Sequence, residues 1–196
     1  MHLVFDIFQG IGVAAALGVR PFLPGLAAGA LAAGDIQIGF KHTNFSYLQS
    51  APFLLALALA AIAFALLERR LGAARLETRP ALTALVPVVA TLGALFFAAS
   101  LCRGHYAIWP GLVGGAVCAL IAIAATRPLL ARVRSRLDGT TAGALALYAE
   151  AAAVALAALS IVAPPVGPIG LAGLIWILIA GRRRDGQKYA GLRILR

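Results

Sequence analysis

Apolar runs separated by short polar segments divide the chain into six stretches, residues 3–33, 51–67, 81–101, 107–126, 142–163 and 166–181. A helix crosses the hydrocarbon of a bilayer with about 20 residues rising 1.5 Å each. The third, fourth and fifth stretches have that length. The second and sixth are shorter, bounded by Pro52, Glu68, Pro168 and Arg182. The pattern predicts an all-α protein, a polytopic transmembrane helical bundle of six spans. It forms a single membrane domain over 1–196, with 182–196 as a basic cytoplasmic tail.

The first stretch departs from this pattern. As one helix it would be about 46 Å long, too long for an upright span. Arg20-Pro21-Phe22-Leu23-Pro24-Gly25 also interrupts its middle, and two prolines three residues apart remove backbone donors and break a helix. Two readings follow: one helix broken near the bilayer centre, or a hairpin of segments 3–19 and 24–38. The hairpin gives seven inserted segments and moves the N-terminus to the other side. The first stretch lacks a positive leading region and a cleavage site, so it does not read as a cleavable signal.

Residues 24–30, Pro-Gly-Leu-Ala-Ala-Gly-Ala, recur as 110–116, Pro-Gly-Leu-Val-Gly-Gly-Ala. Both copies carry Gly-x-x-x-Gly, at Gly25 and Gly29 and at Gly111 and Gly115, the spacing that lets helix backbones approach in lipid. The same offset maps 3–19 onto 89–105 and 51–67 onto 137–153. An internal duplication with half-repeats 1–80 and 87–181 is expected. Pro21, Pro24 and Pro110 would serve as helix breaks and the four glycines as packing positions.

Charge orients the bundle. Segments 68–80, 127–141 and 182–196 hold fourteen of the seventeen Lys and Arg, whereas the alternate connections hold Lys41 and Arg103, with Arg20 left inside the first stretch. By the positive-inside rule, the basic segments and the C-terminus are cytoplasmic. The net charge of +10 then belongs to helix ends facing anionic lipid, with Arg132, Arg136, Arg182, Arg183 and Arg184 as lipid-facing cations, and nucleic acid is not an expected partner. Leu129, Leu130, Val133 and Leu137 among the arginines of 127–141 predict a short interfacial helix. A hydrophobic fraction of 62% excludes an ordinary soluble domain. Arg and Ala enrichment points to a GC-rich bacterial genome, hence to the inner (plasma) membrane. Cys102 and Cys118 are too few for a disulfide framework.

Gly18-Val19-Arg20-Pro21-Phe22-Leu23-Pro24 and the ending Lys188-Tyr189-Ala190-Gly191-Leu192-Arg193-Ile194-Leu195-Arg196 resemble an uncharacterised family of membrane proteins, domain of unknown function 4126. Glu68 resembles that family's acidic position at the close of the second span, whereas Cys102-Arg103-Gly104-His105-Tyr106 departs from its pattern. The resemblance implies a bacterial inner-membrane protein and supplies no activity.

Candidate chemistry rests on charges inside apolar stretches. Arg20 near the bilayer centre costs at least about 2.5–3.5 kcal/mol, so it requires a partner or a watery cavity, unless a hairpin tip lets it snorkel to headgroups. Glu150, with Tyr148 nearby, must be neutral, paired or hydrated. Pairing with Arg20 and carriage of a proton or ion are the two readings. Asp6 and Gln9 share a helical face, either lining a polar path with Arg20 or marking a helix end at the membrane surface. Asp35, Gln37, His42, Asn44 and Tyr47 fall in the long outer connection, where solvation is the plain expectation. Arg103 and His105 precede Trp109-Pro110 as an interfacial anchor or an anion gate. The pairs that magnesium, zinc or acyl-transfer chemistry needs are missing, so no enzyme, metal or cofactor is expected.

The function expected is a transporter or flippase-like carrier for an anionic solute or lipid headgroup, with Arg20, Glu150, Asp6, Gln9 and Tyr148 as the substrate or ion site. The alternative is a membrane scaffold or accessory protein that binds lipid or partner helices and moves nothing. Anionic lipid, a small anionic solute and a second copy of the chain are the expected partners.

Overall fold

The computed structural model describes residues 2–41, 43–71, 79–137 and 139–192, and among them the side chains of 3–41, 43–70, 84–137 and 144–183. Among the described residues seven α-helices follow one another: α1 (His2–Val19), α2 (Leu23–Ala33), α3 (Ala51–Leu71), α4 (Arg79–Arg103), α5 (Trp109–Arg134), α6 (Gly139–Val162) and α7 (Val166–Leu192), with a 3-10 turn at Ser46–Gln49 before α3. There is no strand among the described residues. Five helices, α3 to α7, are long and apolar enough to cross a membrane, whereas α1 and α2 are shorter.

The long first stretch is a hairpin. Arg103, at the end of α4, donates to the Gln37 carbonyl and also contacts Asp6, so the chain leaves that end along α1 and returns to it along α2. Across the turn the Leu17 side chain lies 3.1 Å from where a Cβ on Gly25 would stand. The tip is a tight γ-turn: Leu23 N–H donates to the Pro21 carbonyl at 3.0 Å, and Phe22 sits at φ 73°, ψ −61°. Proline on each side of Phe22 leaves few alternatives, because both rings fix their own φ and neither can donate to a helical ladder. Pro24 then starts α2, where a missing N–H costs nothing.

This turn also moves Arg20. It lies at the end of the bundle that carries Glu68, Arg69, Arg134 and Arg182, here called the basic end, rather than at mid-depth.

Helix α1 is the centre of the molecule, packed against α2, α4, α5, α6 and α7. Its Val13–Leu17 run is at most 1% exposed. Alanine and glycine at these positions let neighbouring backbones come close, and where side chains are small, dispersion between packed surfaces holds helices together in lipid. The glycines marked in the sequence do pack. A Cβ on Gly29 would stand 2.8 Å from the Leu48 carbonyl oxygen, one on Gly111 2.7 Å from Ala98 Cα, and one on Gly115 would strike the Gly93 carbonyl. A further close approach, Gly12 on α1 against Gly167 on α7, has no spacing signal in the sequence.

Pro110 opens α5 and does not break a helix. Residues 127–134 continue α5 through Pro128, so the separate interfacial helix expected over 127–141 is absent from its described part. The expected tail is helical as far as Leu192, because α7 runs on past Gly181. The ending 193–196, His42 and the Arg184 side chain lie outside what is described.

The connection between α2 and α3 is a packed cap. Ile38, Phe40, Phe45 and Leu48 are buried in one cluster with Leu17, Leu57 and Phe96. The Phe40 N–H donates to the Gln49 side chain at 2.8 Å, and Thr43 Oγ1 bridges Phe40 and Phe45. Polar members of the connection face outward: Asp35 and Lys41 pair at the surface, and Asn44 and Tyr47 are exposed. Partial burial of Tyr47 pushes its hydroxyl up from the usual range.

Candidate functional site

Two buried ionic clusters sit at opposite ends of α1, about 21 Å apart along the helix. Asp6, 1% exposed, contacts Arg103, and Gln9 bridges the same guanidinium to the Ile161 carbonyl, to which it donates at 2.9 Å. This cluster ties α1, α4 and α6 at the capped end. Asp6 and Gln9 therefore share a helical face, as expected, but serve Arg103 and not Arg20. Arg103 in turn is half-buried and turned to Asp6, whereas Trp109 is exposed.

At the basic end, Arg20 is 6% exposed. Its two terminal nitrogens reach the two Glu68 oxygens at 3.0 and 3.4 Å, a bidentate fork to the last turn of α3. Glu150 approaches from α6 with Oε1 3.8 Å from Arg20 Nε. That separation is an ion pair but too long for a hydrogen bond. Arg20 Nε and Glu150 Oε2 are both buried without a hydrogen-bond partner. The expected Arg20–Glu150 pairing is thus the weaker of two contacts. Arg20 does not snorkel to bulk water either.

One cation faces two carboxylates, leaving this centre one negative charge in excess if all three are ionised. A cavity of about 60 Å³ adjoins it. Arg20, Glu68, Thr126, Arg127 and Arg134 contribute its polar wall, with Phe64 and Val89 among the apolar part. That volume suits a few waters or a small ion. Thr126 donates back to the Ala122 carbonyl at 2.7 Å, as hydroxyls in apolar helices do, so the wall's chemistry is carried by its charges.

Tyr148 does not join the site. It is 73% exposed, two residues from Glu150 and hence about 200° around α6. Phe22 does join it: its ring meets Phe64 edge-on at 6.0 Å, tying the strained tip to α3 beside Glu68. Arg136, Arg182 and Arg183 are exposed, whereas Arg132 is half-buried against the Gly181 carbonyl. No cluster of three or more His, Cys, Asp or Glu able to hold a metal occurs among the described residues.

No family model, no curated protein and no solved structure matches the chain.

Proposed function

We propose that this chain is an integral protein of the bacterial inner membrane, its basic end and C-terminus cytoplasmic, that carries an anionic solute or lipid headgroup in step with a proton. The observation that supports the reading best is the imbalance at Arg20: a buried cation, two carboxylates and a water-sized cavity alongside. Burying a charge without full compensation costs several kcal/mol or more, so such an arrangement is retained where it works. Glu150, the looser partner, is the proton acceptor of the proposal.

Among the described residues the cavity wall carries Arg20, Arg127, Arg134 and Glu68, with Glu150 beside Arg20. A proton on Glu150 removes one negative charge beside the cavity and favours an incoming anion. The packed cap closes the opposite end, so entry in this state is from the basic side.

The proposal includes an inverted duplication. Pro24 and Pro110 each begin a helix, and α2 and α5 run in opposite directions, as do α1 and α4. It also includes membership of the family the sequence resembles. Glu68, which that resemblance singles out, is the closer partner of Arg20.

The test is flux of a small anion into liposomes under an imposed pH gradient. Wild-type protein is expected to show pH-driven uptake, and E150Q to lose its pH dependence. Wild-type flux in both R20A and E150Q removes this centre from any mechanism.

The scaffold reading keeps one favouring observation. Leu55, Leu59, Ile62 and Leu66 form an exposed stripe along α3, a face suited to a second copy or a partner helix. Absence of flux for any solute, with a stable co-purifying membrane partner, selects it.

A further inference from the structure

We infer that α5 and α7 form a binding site for one anionic phospholipid of the leaflet at the basic end. The site is separate from the cavity at Arg20. It rests on membrane embedding alone, so lipid binding and anion flux stand or fall separately.

A groove of about 320 Å³ runs between the two helices. Its inner part is apolar, lined by Ala124, Leu129, Trp176 and Ile177, and its outer part carries Arg132 and Arg182. This is the polarity of a phospholipid laid along a helix pair: acyl chain toward mid-membrane, phosphate toward the surface. The apolar part is open because α5 contributes small residues there, Ala124 and Ala125, where a larger side chain would fill the gap.

The cationic part has a defined shape. Arg132 donates to the Gly181 carbonyl on α7 at 3.4 Å, which holds its guanidinium over the neighbouring helix. Arg182 follows Gly181 directly and lines the same groove as Arg132. A phosphate diester accepts hydrogen bonds from such a fork, and its charge complements the pair. Trp176 is 73% exposed on the groove wall, an amphipathic ring of the kind that sits near lipid headgroups. The complementary charge commits the occupant to an anionic lipid rather than a zwitterionic one.

The test measures lipid retained by the full chain in detergent by native mass spectrometry, with added phosphatidylglycerol or phosphatidylcholine as the probes. Phosphatidylglycerol is expected to bind as a single tight copy and phosphatidylcholine weakly. The double variant R132A/R182A is expected to lower phosphatidylglycerol affinity roughly tenfold or more. A124W, which fills the apolar part from an exposed position, is expected to lower it as well. R70A, an exposed arginine of α3 outside the groove, is expected to leave it unchanged. Equal retention of the two lipids, full retention by R132A/R182A, or an equal loss in R70A overturns the site.

Discussion

Glu68 grips Arg20 through both of its oxygens while Glu150 stands off at 3.8 Å, so two carboxylates that share one cation are not equivalent. The first holds the hairpin tip to α3. The second is held by charge alone, and this division makes the two separable by substitution.

E68Q is expected to destabilise the protein by about 3–5 kcal/mol, the cost of breaking a buried ion pair from one side. E150Q is expected to leave stability unchanged or raise it, because Glu150 makes no hydrogen bond to Arg20, its buried Oε2 has no hydrogen-bond partner, and the bidentate pair stays. Thermal unfolding in one detergent compares them directly. A larger loss in E150Q would contradict the order of contacts.

The tip at Phe22 allows a second comparison. F22A and F22G both lose the ring contact with Phe64, but only glycine accepts a φ of 73° without strain. F22G is therefore expected to be more stable than F22A by about 1 kcal/mol or more. The reverse order is expected where a glycine merely loosens a loop.

Close backbone contact predicts which glycines are indispensable. G115A and G167A place a methyl group against the carbonyls of Gly93 and Phe8, and each is expected to cost more than about 2 kcal/mol. G173A meets nothing within 4 Å and is expected to stabilise α7 by up to about 1 kcal/mol. Denaturation in mild detergent would separate the two classes.

Topology is open to chemical labelling. In a background without Cys102 and Cys118, cysteines at Leu3 and Ile36 are expected to react with an impermeant thiol reagent from the same face. A cysteine at Arg136 is expected to react from the other. Labelling of Leu3 and Ile36 from opposite faces would mean that α1 and α2 cross as one broken helix.

Much of this architecture was readable along the chain. The apolar stretches became α3 to α7 with ends shifted by a few residues, since hydropathy marks lipid depth and not where a helix stops. The break at Arg20 was visible because prolines act locally. The ion pair of Arg20 with Glu150 was legible too, as two charges in apolar stretches. The closer partner was not, because Arg20 comes level with Glu68 at the end of α3 only once the chain doubles back. Tyr148 looked close to Glu150 in the sequence and lies across the helix from it. Arg103 looked like a surface anchor, and its real partner Asp6 stands 97 positions earlier. The cap left no signal, since Ile38, Phe40, Phe45 and Leu48 follow no helical or strand period.

The position of α1 imposes a schedule on biogenesis. The helix that is translated early acquires its ionic ties late, from Arg103 and then from Glu150, with Glu68 arriving between its insertion and theirs. Until α4 emerges from the ribosome, Asp6 waits in the membrane without its counter-charge, and the remaining helices then assemble around a core already in place. Nascent chains arrested before residue 103 are expected to be short-lived substrates for membrane proteases, and chains arrested after α6 to persist.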